Sequence, residues 1–170
     1  MKSKVMISVT FLVILALSIV LIGCDKKDDY IVPNGLDEYG REYGQIYDID
    51  KYESGIYHLS YDLLGLSSFV ESMIRNNCAD YVEVEVNKNG EYYYTFYSIG
   101  EKLTDVSIKI TDTTLEGEIV KENNKVGYEF KLNREQLDNT ITIYCKVSAM
   151  FGKSVDFDMK IHIDKAKLVG

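Results

Sequence analysis

Few side chains in this 170-residue chain are of a type and spacing that could do chemistry. It has two histidines, His58 and His162, and three cysteines, Cys24, Cys78 and Cys145. No Cys-x-x-Cys or Cys/His spacing supports a tetrahedral metal site. Both histidines fall on the polar parity of alternating segments, where an imidazole is usually just solvated. The paired acids Glu83/Glu85 and Asp156/Asp158 also occupy wet strand positions. No glycine-rich phosphate loop follows a strand, and no nucleophile, base and acid stand together. Catalysis is not expected. Cys78 and Cys145 lie on the apolar parity of their segments and point inward, which suits either a disulfide or two buried thiols.

Cys24 belongs to a different context. Met1-Lys2-Ser3-Lys4 is a short positive start, and Val5 to Ile22 is apolar apart from Ser8, Thr10 and Ser18. Such a start stays on the cytoplasmic side while the apolar stretch partitions into the bilayer. Leu21-Ile22-Gly23-Cys24 then resembles the lipobox of bacterial prolipoproteins. The resemblance implies a diacylglycerol thioether on Cys24 and cleavage just before it, next to the small Gly23. The mature chain would sit on the extracellular face of the membrane, since two acyl chains anchor stably where one is marginal. An uncleaved signal anchor competes, because the run approaches the ~20 apolar residues that span a bilayer; a cleaved, unlipidated signal peptide is the other alternative.

These readings divide the chain into a signal peptide (1–23), a tether (24–50) and a folded domain (51–170). Loss of Lys2 and Lys4 takes the formal charge from −8 to −10. A chain this acidic is repelled by nucleic acid, which is not expected as a partner. The 46% apolar content with 14 tyrosines describes a globular fold and not a disordered one. Asp25 to Asp50 shows little periodicity, and it reads as a spacer whose tyrosines can pack on the domain.

From Tyr52 onward the period is two. Tyr57, Leu59, Tyr61 and Leu63 alternate with polar residues, as do Val82, Val84 and Val86. Glu91 to Ile99, Val106 to Ile110, Leu115 to Val120, Val126 to Leu132, Ile141 to Val147 and Val155 to Ile163 continue the pattern. Asn87 to Gly90 and Glu122 to Lys125 read as hairpin turns. Ser67 to Asn77 predicts one short helix and Asn133 to Leu137 a single turn. Strands with one buried and one wet face must stack as two sheets, so the expected fold is an all-β antiparallel sandwich.

Several pieces in this order resemble the NEAT (near-transporter) domains of Gram-positive surface proteins, over about Tyr52 to Asp164. Ser54-Gly55-Ile56-Tyr57-His58-Leu59 is similar to the family's opening strand. Glu71-Ser72-Met73 resembles the Ser-Met element of its lip helix. Ala79-Asp80-Tyr81-Val82-Glu83-Val84 with Asn89-Gly90-Glu91-Tyr92-Tyr93-Tyr94-Thr95 looks like its hairpin. The resemblance implies an immunoglobulin-like sandwich and a haem groove between the lip helix and the last hairpin. It implies a role in iron acquisition, with host haem proteins or other haem-relay surface proteins as partners.

Aligning the last strand places Lys153 and Phe157 where many members carry a Tyr-x-x-x-Tyr pair, so tyrosinate ligation is not expected. Relatives that ligate iron through methionine imply Met73 with Met150, or with Lys153. Thioether sulfur is a soft, neutral ligand that favours reduced iron. Phe69, Ser72 and Met73 would form one wall, and Met150, Phe151, Lys153 and Phe157 the other, with Ser72 bonding a propionate. Core packing is the plain alternative for Met73. A protein-binding or adhesion module without haem is the alternative function.

Overall fold

Alternating strands with single buried faces can close a core only by pairing faces. The computed structural model describes residues 31–49, 53–122, 124–148 and 152–170. The lipobox and Cys24, and with them the signal peptide, lie outside the described residues. So do Met150 and Phe151.

Two antiparallel sheets face one another. One holds, in order, β1 (Ile46–Tyr47), β12 (Ala166–Leu168), β2 (Gly55–Leu59), β4 (Cys78–Val86), β5 (Tyr92–Ile99), β9 (Lys125–Leu132) and β8 (Glu118–Glu122). The other holds β3 (Tyr61–Leu64), β11 (Lys153–Ile161), β10 (Ile141–Val147), β6 (Leu103–Ile110) and β7 (Thr113–Glu116). The core between them is filled by Tyr57, Leu59, Val82, Val84, Tyr94 and Phe96 from one side, and by Ile108, Ile141, Ile143, Phe157 and Met159 from the other. Buried polar tips are satisfied: the Tyr61 hydroxyl donates to the Ala79 carbonyl at 2.7 Å and Tyr94 donates to the Met159 sulfur at 3.2 Å. No helix among the described residues is long and apolar enough to cross a membrane.

Two alternating runs prove to be pairs of strands that change sheets. Tyr57 to Leu63 divides at Ser60, sending β2 and β3 into opposite sheets. Leu115 to Val120 divides at Gly117, where a Cβ would come within 2.8 Å of the Phe130 ring. Only glycine lets the backbone pass so close to that ring. The last alternating run ends at Ile161, and a 3-10 turn at Ile163–Lys165 leads into β12, a strand that the alternation does not reveal. The Asn87 turn forms as expected, with its Oδ1 accepting from Asn89 and Glu91 N–H at 2.9 and 3.0 Å.

The tether boundary at residue 50 is corrected by the same structure. β1 pairs with β12 through Ile46↔Lys167 and Tyr47↔Ala166, and Ile49 is buried in the core. Residues 35–49 are therefore part of the folded unit. Their periodicity is weak because Ile49, the β1–β12 pairing and one buried charge hold them in place of a continuous apolar face. Arg41 is 7% exposed and forms an ion pair with Asp37 at 2.6 Å. It also donates to the Tyr57 hydroxyl and the Ser54 carbonyl, and its guanidinium lies 5.2–5.7 Å from the ring centres of Tyr39, Tyr47 and Tyr57.

Candidate functional site

The groove expected from the sequence would lie between the helix α1 (Ser68–Asn77) and the β10–β11 hairpin. Ser67 caps α1, its hydroxyl accepting from the Val70 N–H at 3.5 Å, and Glu71 in the first turn favours the positive end of the helix dipole. Val70, Met73, Ile74 and Asn77 recur at helical spacing and form the inward stripe. Ile74 is fully buried, whereas Val70 and Met73 are half-buried against the core. Met73 is held from behind, because the Asn77 amide donates to its carbonyl at 2.8 Å. Arg75 pairs with Glu71 at 2.8 Å and lies over the Tyr61 ring, which ties the helix to β3. The principal packing partner of α1 is β4.

β3 delivers the chain to this helix beside the hairpin, since Leu64 pairs with Asp158 and Leu63 with Met159. Across the hairpin Ile143 faces Phe157, Cys145 faces Val155 and Val147 faces Lys153. Strand alternation puts Cys145, Val147, Lys153 and Val155 on the inner face, and the core continues along β10 through Cys145 and Val147. Val155 is half-buried and Lys153 is exposed at the start of β11.

The sequence-predicted residues separate on this frame. Met73 lies on the inward stripe of α1, as a ligand or pocket residue must. Ser72 is exposed beside it, and Phe69, one turn before Met73, is 73% exposed. Lys153 is hydrated, unlike the buried setting that a lysine ligand needs. Phe157 is a correction: it is 3% exposed, with its ring 6.5 Å from that of Phe96. It belongs to the inter-sheet core and is no groove wall. It points inward as its parity predicts, but the core extends along β11 as far as residue 157.

Cys78 and Cys145 are both buried thiols, not joined to one another, in β4 of one sheet and β10 of the other. Burial pushes the Cys145 thiol up to about 12, so at neutral pH it is protonated and offers no thiolate. The residue missed by sequence reasoning is Val155, half-buried on the inner face of β11; Cys145 and Val147 across from this end of β11 are buried core. The parity of β10 and β11 carried that signal, since the positions facing Ile143 and Met159 continue to the tip. Among the described residues no group of three or more His, Cys, Asp or Glu could hold a metal ion. His58 pairs with Glu83 at 3.2 Å and stacks on Tyr81, and His162 pairs with Asp62 at 2.9 Å, both outside the groove.

The chain's fold is that of solved NEAT domains. Two structures of the NEAT5 domain of IsdX2, a B. anthracis hemophore, both in complex with heme and one a point mutant, align with TM-scores of 0.53 and 0.52. Each is 18% identical, covering 66% of this chain and 98–99% of the domain. No family model matches the chain. A curated relative, one of the subunits of DNA topoisomerase 4 from Mycoplasma genitalium, is 29% identical over 98 residues. This covers 54% of the chain but only 16% of that protein, so the chain spans about a sixth of its length.

Proposed function

We propose that this chain is a membrane-anchored lipoprotein that binds haem in the groove between α1 and the β10–β11 hairpin and passes it on within an iron-acquisition system. The carrying observation is the NEAT fold, supported by Met73 half-buried on the inward stripe of the helix that corresponds to the family's lip. Large apolar surface against a few placed polar groups is what a cofactor groove requires. Met73 supplies a thioether to the iron, with Met150 as the second ligand. Ser72, exposed on the same turn, bonds a propionate. Bound haem brings an iron whose potential is set by its axial ligands. Neutral sulfur favours the reduced state, and weak ligation favours hand-on over storage.

The test is a titration of the purified domain with haem, read in the Soret region, followed by reduction. The expected result is a low-spin, six-coordinate spectrum that Met73→Ala shifts and Met150→Ala shifts independently, each with faster loss to apomyoglobin. Retention of haem with an unchanged spectrum in both variants refutes methionine ligation. No retention at micromolar concentration refutes haem binding itself, and the protein-binding reading then leads. That alternative draws on Phe69 and on Leu64, 73% and 40% exposed near the same lip. Anchoring is tested separately: Cys24→Ala should abolish fatty-acid incorporation, and unchanged labelling removes the anchor.

A further inference from the structure

We infer that the outer face of the seven-stranded sheet docks an arginine-bearing segment of a partner protein, with Glu118, Glu129 and the Thr95 hydroxyl as its acceptors. Strand register sets the site. Glu83 on β4 faces Thr95 on β5, Thr95 faces Glu129 on β9, and Glu129 faces Glu118 on β8. At ~4.8 Å per strand this outward row is about 14 Å long. Glu85 stands on the next outward position of β4, opposite Tyr93. Carboxylates directly opposed across a strand pair, as Glu118 and Glu129 are, destabilise it. The nearby lysines do not relieve them. Lys131 is committed to Glu91, Lys121 pairs with Glu101 at 3.3 Å, and Lys125 donates to the Tyr81 hydroxyl at 3.0 Å. Glu83 already accepts from Tyr97 at 2.9 Å and pairs with His58 at 3.2 Å, but among the described residues Glu85, Glu118 and Glu129 have no cationic partner.

Thr95 makes this more than a solvated acidic face. It is only 4% exposed although it stands on the outward parity of β5. Its methyl is turned to Gly127, where a Cβ would come within 2.8 Å, and its hydroxyl makes no hydrogen bond to another described residue. No fully enclosed side-chain oxygen among the described residues lacks a partner, so this hydroxyl opens to the outside. Between two carboxylates, it accepts from the same N–H donors that they do. Burial, then the charges of Glu85, Glu118 and Glu83, hold the Glu129 carboxyl above its ordinary value, as fits acids that lack a cation.

The chemistry of the partner follows from the shape of the row. Among the described residues no three acids or histidines stand close enough to hold a metal ion. Opposed residues have Cβ atoms about 5 Å apart, a gap that one planar guanidinium bridges with parallel N–H groups. The row lies on an open sheet face, so the cation must come on a longer chain. An extended segment with arginines at alternate residues covers about 13 Å in five residues, close to the length of the row. The net charge of −8 steers such a partner to this chain.

The probe is the peptide acetyl-Arg-Ser-Arg-Ser-Arg-amide carrying an uncharged dye, titrated with the purified protein at low ionic strength and read by anisotropy. The peptide should bind, and its counterpart with citrulline in place of arginine should not. Glu118→Gln and Glu129→Gln should each weaken binding about fivefold. Thr95→Val removes no charge and should weaken it about threefold, whereas Thr95→Ser, which keeps the hydroxyl, should bind as the parent does. Asp156→Asn makes the same charge change on the outer face of the other sheet and should leave binding within about twofold. Equal losses from Asp156→Asn and Glu129→Gln mean general acidity and overturn the site, as does unchanged binding in Thr95→Val. Displacement by calcium chloride at an ionic strength where sodium chloride leaves the peptide bound means a metal site and overturns the arginine reading. No binding at millimolar concentration overturns it outright. The assay needs neither haem nor lipid, so its outcome is independent of both readings above.

Discussion

Arg41→Met keeps the aliphatic stem under the tyrosine rings and removes only the charge and its donors. Removing one member of a buried ion pair typically costs about 3–5 kcal/mol, most of it from the charge left behind. The structure places this case at the lower end. Asp37 is 8% exposed but keeps two backbone donors, Tyr39 N–H at 3.0 Å and Arg41 N–H at 2.7 Å. Tyr57 keeps its hydrogen bond to the Glu53 carbonyl at 3.1 Å, whereas the Ser54 carbonyl loses a charged donor. The expected loss is therefore about 3 kcal/mol, or roughly 10 °C in Tm for a domain of this size.

The pH dependence supplies a sharper test. Burial acts to raise the Asp37 carboxyl, but hydrogen bonds and charge from Arg41, with the Tyr39 N–H, outweigh it and hold the group below its ordinary 3.8. A carboxyl depressed in the folded state contributes stability that is complete above its unfolded pKa and disappears as pH falls through the folded one. The deficit of Arg41→Met measured by urea unfolding should be full at pH 7 and shrink below about pH 3.8. Asp37→Asn in the Arg41→Met background should recover about 1–2 kcal/mol by relieving the unpaired charge. A loss under about 1 kcal/mol at pH 7, or a deficit constant with pH, refutes the buried-pair account.

Two further outcomes follow from buried groups elsewhere. Burial, then the carboxylates of Glu85, Glu118 and Glu83, hold Glu129 above its ordinary 4.5, which costs stability once pH exceeds the unfolded value. Glu129→Gln should stabilise the domain by about 0.5–1 kcal/mol at pH 7 and by nothing at pH 3, in parallel urea titrations. Cys78 and Cys145 should resist iodoacetamide in the native state, and both should react once the unreduced Cys24→Ala protein is unfolded; mass spectrometry showing neither alkylated would mean they are bonded.

How much of this is legible in the sequence depends on what holds each part in place. Strands such as Val82–Val86 and Ile141–Val147 announce themselves because burial of one face imposes a period of two. The helix at Ser68–Asn77 is readable from its cap and its spacing of Val70, Met73, Ile74 and Asn77. The sheet changes at Ser60 and Gly117 are not, since a residue that passes between sheets keeps the same alternation on both sides. β12 is hidden because three residues are too few to show a period. Residues 35–49 look like a spacer because their order comes from scattered long-range contacts: Arg41 with Ser54 and Tyr57, β1 with β12, and the buried Ile49.

The groove is only half legible for a related reason. A core residue is recognised by parity alone, but a ligand-binding residue on the same strand has the same parity. Along β11 the inner face reads Lys153, Val155, Phe157, Met159, Ile161, and nothing in that alternation marks where packing against β5 gives way to open surface. The Phe96 ring meets Phe157 from the other sheet, and the core runs on beyond it through the buried Cys145 and Val147. Phe157 therefore stabilises the fold, and nearer the tip only Val155 and Lys153 keep open surface. The same partition holds on α1, where Ile74 completes the core while Met73, one position earlier, is half-buried at its margin. A residue at that margin gives up little stability when its side chain turns toward a ligand, which is why the thioether of Met73 is the stronger candidate and the buried sulfur of Met159, already accepting from Tyr94, is not.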